Sequence, residues 1–385
     1  MTGNVLILGL VSFFTDVSSE MIYPLLPVFL TTTLGAGPAV LGLIEGVAES
    51  TASLLKLLSG LWADRVRDRS KLVLFGYGLS SLSRPLVAAA SRASHVLAVR
   101  FADRIGKGIR TAPRDALIAD SVDPALRGKA FGFHRSMDHA GAVVGPLLAT
   151  GLLAWCVTDI RTLFWLASVP GVVAFLLVLS RVREVAPGIR PPPEHRTMLS
   201  STPRGPLRRY LIVVFLFTLG NSSDAFLLLR ASQLGIAAAG LPLLWVFFHV
   251  VKTVATMPFG ALSDTVGRRG VILAGWTVYA MSYFGFAAAR TPLQVWGLFG
   301  LYGIYYGLTE GVERALIVDL AGHAARGAAL GWYNCVIGIG ALPASLLFGL
   351  IWQRFGPQTA FSTGAVMGAA SAGLLLLLVK PKPSV

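Results

Sequence analysis

Apolar residues dominate this chain in long windows, each closed by a short polar stretch. A helix needs roughly 20 apolar residues to cross a bilayer, so each window reads as a membrane-spanning helix. Twelve can be marked, over residues 5–30, 39–61, 72–91, 95–118, 130–155, 162–181, 209–231, 240–262, 270–289, 293–318, 328–350 and 358–379. The pattern therefore predicts an all-α membrane protein with 12 transmembrane helices. One long polar stretch interrupts it. From Val182 runs VREVAPGIRPPPEHRTMLSSTPRGPLRR, rich in proline and arginine and without hydrophobic periodicity. It predicts a six-helix bundle over 1–181, a linker over 182–208 and a second six-helix bundle over 209–385.

The two halves repeat in order. GLWADRVRDRSK at Gly60 is answered by GALSDTVGRRG at Gly260, and ALIAD at Ala116 by ALIVD at Ala315. RGKAFG at Arg127 has its counterpart in RGAALG at Arg326. Within the first window of each half, SSE at Ser18 matches SSD at Ser222, which sets Glu20 against Asp224. Two parallel six-helix repeats are a transporter architecture, with sites near the midplane between them.

Composition agrees with a bilayer as solvent: 54% of residues are hydrophobic and 14% charged, against about 25% charged in soluble domains. Mean hydropathy is +0.68. The net charge of +14 falls mostly in alternate loops, such as Arg65 to Lys71, Arg181 to Arg209, and Arg268 with Arg269. The intervening loops are nearly bare, as in TTTLGAGPA and ASQLGIAAAG. By the positive-inside rule the basic loops and both termini are expected in the cytoplasm, so the basicity reflects topology and no nucleic-acid partner is expected. The start, MTGN, lacks a basic n-region, so the first window is expected to be retained as a helix. Cys156 and Cys335 have no CxxC spacing, so neither a disulfide framework nor a zinc site is suggested. With no GxGxxG, Walker loop, HExxH or nucleophile elbow, ATP hydrolysis and covalent catalysis have no support.

The informative residues are charges inside the apolar windows. A carboxylate at the bilayer centre costs at least ~2.5 kcal/mol on insertion scales, so such groups face a cavity or a partner. Asp16 and Glu20 lie at i and i+4, on one helix face, and Glu45 and Glu49 repeat the spacing on helix 2. Where these faces meet, desolvation and like charge both penalise the ionised form, the condition a proton carrier needs. The opposing reading is that helix 4 supplies permanent ion-pair partners through Arg100, Arg104 and Lys107, with Asp103 among them. From Lys107 onward that helix reads as a solvated or interfacial end. Asp138 and His139 form a further titratable pair, the histidine as relay or as packing residue. The second half offers a polar lining in Asn221, Asp224, Arg230, His249, Lys252, Glu310, Glu313, Tyr306 and Asn334. Gly60 and Gly260 are expected at close helix approaches. Asp64 and Asp264, at helix ends, are expected to accept from a neighbouring helix N-terminus or to pair with following arginines such as Arg65 and Arg268. Gly141, Gly145 and Pro146 form a small-xxx-small surface with a bending proline.

GLWADRVRDRSK and GALSDTVGRRG resemble the loop signature of the major facilitator superfamily, with Arg67 and Asp68 departing from it in the first copy and Gly267 kept in the second. VRFADRIGKG is similar to that family's helix 4 pattern in Arg100, Phe101 and Gly106, and GAVVGPLLAT to its helix 5 antiporter pattern in Gly141, Gly145 and Pro146. The resemblance implies two pseudo-symmetric six-helix bundles working by alternating access. It further implies a role for Arg100 in proton coupling and a tight helix 5 to helix 8 contact, as in exporters of the antiporter type.

The expected protein is a secondary transporter of a bacterial cytoplasmic membrane, not an enzyme, exporting a small molecule against protons. Asp16, Glu20, Glu49, Arg100, Asp103, Arg104 and Asp138 are expected to serve coupling. The proton gradient is its energy source; no cofactor or resident metal is expected, and the chain is expected to be a monomer in the lipid bilayer. Open alternatives are a proton-coupled importer, a heavy-metal or metal-chelate exporter using hard-oxygen and imidazole ligands, and a non-transporting membrane sensor.

Overall fold

The structure, a computed structural model, describes residues 3–63, 68–123, 126–184, 202–321 and 326–379. All regular structure among them is helical. The spans are α1 (Gly3–Thr33), α2 (Pro38–Ala63), α3 (Arg69–Ala89), α4 (Ala93–Asp120), α5 (Arg127–Trp155) and α6 (Ile160–Arg181). They continue with α7 (Gly205–Gln233), α8 (Gly240–Val266), α9 (Arg268–Ala288) and α10 (Pro292–Ala321). A last run, Arg326–Leu378, is split by Gly356, whose φ of 87° no other residue type adopts without strain, into α11 (326–355) and α12 (357–378). The architecture is that of 12 transmembrane helices, and each apolar window of the sequence falls on one of them.

The helices are apolar on both faces because one face meets protein and the other lipid. On α6, Leu163, Phe164, Ala167, Gly171, Ala174 and Val178 are buried. Its opposite stripe, including Val169, Val172, Leu176 and Leu179, is exposed and would face acyl chains. α4, rich in charge, and α10, rich in glycine and tyrosine, are less apolar than the other spans, yet they form helices of 28 and 30 residues.

The chain forms two compact units. The first contains Met1–Ala36, Val47–Glu194 and Ala238–Val246; the second contains Gly37–Gly46, His195–Ala237 and Phe247–Val385. The units follow the linear halves except that the starts of α2 and α8 are exchanged. In the first unit α1 packs on α5 and α6, and α3 on α4 and α6. Gly76 and Gly106 let α3 and α4 touch backbone to backbone; a Cβ on either would stand 2.6 Å from the other's carbonyl oxygen. The second unit is centred on rings, with Phe217 stacked on Trp276 at 4.4 Å and Tyr279, Tyr283, Tyr302 and Tyr305 all buried.

The repeated ALIAD and ALIVD segments acquire a physical meaning here. Asp120 ends α4 and takes Arg69 of α3 at 2.7 Å; Asp319, in α10, takes Arg268 of α9 at 3.0 Å. Each repeat thus ties the start of its third helix to its fourth. Arg268 also reaches Asp264 at 3.7 Å, as the loop signature suggests, while Asp64 and Arg65 lie outside the described residues. The departure at Asp68 is a change of cap. Asp68 (φ −116°) accepts from Lys71 N–H at the start of α3, whereas the second copy enters α9 through Gly267 at φ 90° without a side-chain cap. Gly260 does not sit at a close approach. A Cβ there would meet nothing within 4 Å, because its face of α8 is not pressed against another helix. Gly60 lies in α2 without a described side-chain environment.

Candidate functional site

α1 is an α-helix only to Ile22; Tyr23–Leu25 is a 3₁₀ turn that begins the segment containing Pro24 and Pro27, and Phe29–Thr33 is π-helical. Asp16 and Glu20 lie in the last turns before this change, both half-buried. Gly141 and Gly145 bring α5 against them: a Cβ on Gly141 would stand 2.5 Å from Phe13 O and 2.9 Å from Asp16 Cβ. One on Gly145 would stand 2.5 Å from Val17 O and 3.2 Å from Glu20 Cβ. The glycine surface therefore grips α1, because the spacing of two glycines four apart matches the two acid-bearing turns it faces. Pro146 is buried beside it.

Glu20 accepts a hydrogen bond from Trp245 Nε1 at 2.8 Å, in the part of α8 that belongs to the first unit. Glu49 does not join Asp16 and Glu20 as an acidic wall; it pairs with Arg104 at 3.3 Å. Arg100 is buried and lies over the Tyr23 ring at 5.8 Å. Asp103 is half-buried on α4, and its carbonyl accepts from Ser80. Arg110 is not at a solvated helix end. It is buried, stacked on Tyr77 at 4.3 Å and bonded to Ser80 Oγ. Asp138 accepts from Ser12 Oγ and faces His134, while His139 is exposed because the next residue on a helix points about 100° away.

In the second unit α7 breaks. Its helix ends at Gly220, Asn221 is extended, and helix resumes at Ala225. Hydroxyls of five tyrosines meet the break: Tyr279 donates to Gly220 O at 2.8 Å, Tyr302 to Asp224 at 2.6 Å, and Tyr306 to Asp224 at 3.3 Å. Asn221 donates to Tyr305, and Ser222 pairs with Tyr283. The fully buried Glu45 accepts from Ser223 at 3.4 Å, in the part of α2 that belongs to this unit. A discontinuous helix at membrane depth is tolerated where such groups satisfy its backbone, and is characteristic of substrate sites.

Lys252 bridges Glu310 at 2.7 Å and lies 4.4 Å from the Tyr306 ring centroid. Glu313 takes Trp276 Nε1 at 2.9 Å and Tyr333 O–H at 2.6 Å. His249 is half-buried with its ring edge to Phe248, and Asn334 is half-buried beside Tyr333. Arg230 is buried. It donates to Phe286 O and to Ala289 O at 2.9 Å, closing the end of α9.

Sequence reasoning missed Ser12, Arg84, His134 and Trp245. Arg84 is buried with Nη1 unpartnered, against Gly171 and Ser18. Only Arg84 carried a signal in the sequence, a lone base in the apolar window of α3.

The model of the Major Facilitator Superfamily matches residues 8–251 and again 210–385. The chain belongs to this superfamily. A superfamily transporter of Methanocaldococcus jannaschii, itself uncharacterized, is 35% identical over 390 residues, covering 98% of this chain and 95% of that protein. The multidrug resistance protein MdtH of Sodalis glossinidius is 23% identical, covering 83% of this transporter and 78% of its own length. Among solved structures, the nucleoside transporter NupG matches with a TM-score of 0.78 at 13% identity, covering 99% of this chain and 100% of that one, a likeness of fold alone. This facilitator is a multi-pass membrane transporter, and its family carries small molecules.

Proposed function

We propose that this facilitator is a proton-coupled exporter of a small molecule, with Asp16 and Glu20 as its proton carriers. The observation that carries the reading is the partner of Glu20. Trp245 is a neutral donor, so Glu20 can gain or lose a proton without breaking an ion pair, whereas Glu49 is held by Arg104. The glycines of α5 press both acids into one protein-walled segment, where charge is expensive. The α7 break, with Asp224 and Glu45, supplies polar groups for the cargo.

The cycle follows alternating access. Protonation of Asp16 and Glu20 from the outside favours one arrangement of the two repeats; loss of the proton to the cytoplasm favours the other, and cargo moves out in exchange. The proton gradient supplies the energy, with no cofactor, and the transporter works as a monomer in a cytoplasmic membrane with both termini inside. Relatives named for multidrug resistance support export.

The test is efflux of a panel of dyes, organic acids and metals from cells, followed by reconstituted vesicles with and without a pH gradient for any cargo found. Asp16→Asn with Glu20→Gln is expected to abolish gradient-driven efflux while leaving the protein folded. Efflux indifferent to both the gradient and the double substitution would refute proton coupling.

A further inference from the structure

His134 and Asp138 lie one turn apart on α5, with Asp138 a turn before Gly141, where α5 touches α1 at Asp16. Ser12, one turn before Asp16 on α1, donates to Asp138 Oδ1. His134 Nδ1 stands 3.7 Å from Asp138 Oδ2, its ring is 2% exposed, and its Nε2 has no hydrogen-bond partner. A buried imidazole kept with one nitrogen unsatisfied is a poor packing residue, since the open site costs desolvation without a bond. It is a good proton relay, because one ring nitrogen can accept while the other gives up its proton.

Charged groups on α5, α4 and α1 surround this series, and Lys107 and Arg110 of α4 face Asp16. On α5, Arg135 lies 3.5 Å from Asp138 with its side chain largely exposed. From α4, Arg114 and Asp115 face the same region, already paired with each other at 2.8 Å. From α1 come Ser12 and, one turn further, Asp16. The series His134, Asp138, Ser12, Asp16, Glu20 therefore runs from the basic start of α5 at Arg127 to the acid bonded by Trp245.

We propose that His134 and Asp138 are a proton relay joining the Arg127 end of α5 to Asp16. This rests on the reading of Asp16 and Glu20 as proton carriers. In the uptake direction Nε2 accepts a proton, Nδ1–H gives one to the Asp138 carboxylate, and Ser12 takes that proton as its own passes to Asp16. Each group ends with the protons it began with once the ring and hydroxyl reorient, so one proton moves and nothing is oxidised. The reverse sequence empties Asp16 toward the cytoplasm.

The indole of Trp245 gives a readout that needs no cargo. After a rapid pH jump in purified protein, the tryptophan emission lost on Trp245→Phe isolates the Glu20 partner from the other indoles among 8 tryptophans. In His134→Gln and in Asp138→Asn that signal is expected to relax at least about tenfold more slowly with its amplitude preserved. Ser136→Ala, on the exposed face of α5, is expected to keep the native rate. The preserved amplitude separates a slowed relay from a misfolded protein, and His134→Asn provides a second variant if His134→Gln does not fold. Native relaxation in the folded His134 variant would overturn the relay alone. A native protein whose Trp245 signal ignores pH would overturn the carrier role of Glu20, and the relay with it.

Discussion

The acids within the helices of this transporter divide by the chemistry of their partners. Glu49 and Glu310 pair with the cations Arg104 and Lys252, whereas Glu20, Asp224 and Glu313 accept from indole or phenol donors. The distinction was invisible in the sequence, where helix 4 bases were equally available to every acid. Of the two opposed readings of the sequence, the ion-pair reading describes Glu49, which meets Arg104. At the same scale, Asp68 caps α3, and the hydrogen bonds from Ser70 and Lys71 bring its carboxyl down to about 2 from the usual 3.8. Because the folded value is depressed, the contribution is full above about pH 4 and is lost as pH falls through 2. Asp68→Ala is expected to cost about 1 kcal/mol at neutral pH, read as a lowered melting midpoint in detergent. The deficit should narrow in acid, where the native cap is itself protonated.

At the scale of elements, close approach and breakage place the site. Gly145 permits α5 to meet α1 within reach of Glu20, and a branched side chain there would push the helices apart. Gly145→Leu is expected to destabilise the first unit by about 1–3 kcal/mol through overpacking. Gradient-driven efflux should fall further than stability does, since both acids are displaced; thermal melting and vesicle transport measured on one preparation separate the two. Small-residue spacing made a tight contact on α5 legible, but not which helix it serves. The break in α7 was less legible still. NSSD reads as an ordinary polar interruption, and only the five tyrosine hydroxyls gathered around it show how an open backbone is satisfied in lipid.

For the whole molecule, the charge bias of the loops predicts an external α5–α6 connection, the orientation proposed above. Cys156, at the end of α5, is exposed, while Cys335 is half-buried within α11. A membrane-impermeant maleimide is expected to label intact cells at Cys156, with labelling lost in Cys156→Ser; labelling only after the membrane is opened would reverse the proposed topology. Length, hydropathy and internal repetition by themselves determined the helical class and the spans, because the bilayer forces every backbone group into helices of one length, and the resemblance of the loop, helix 4 and helix 5 motifs pointed to the superfamily. They also marked which acids are too costly to be incidental. Tertiary structure alone decided that Glu45 and Glu49, one turn apart, serve different units, that Arg230 closes a helix end, and that His134 rather than His139 faces Asp138. The reason is physical: burial cost is a property of the residue and its depth, but the partner that offsets it is chosen by which helices touch.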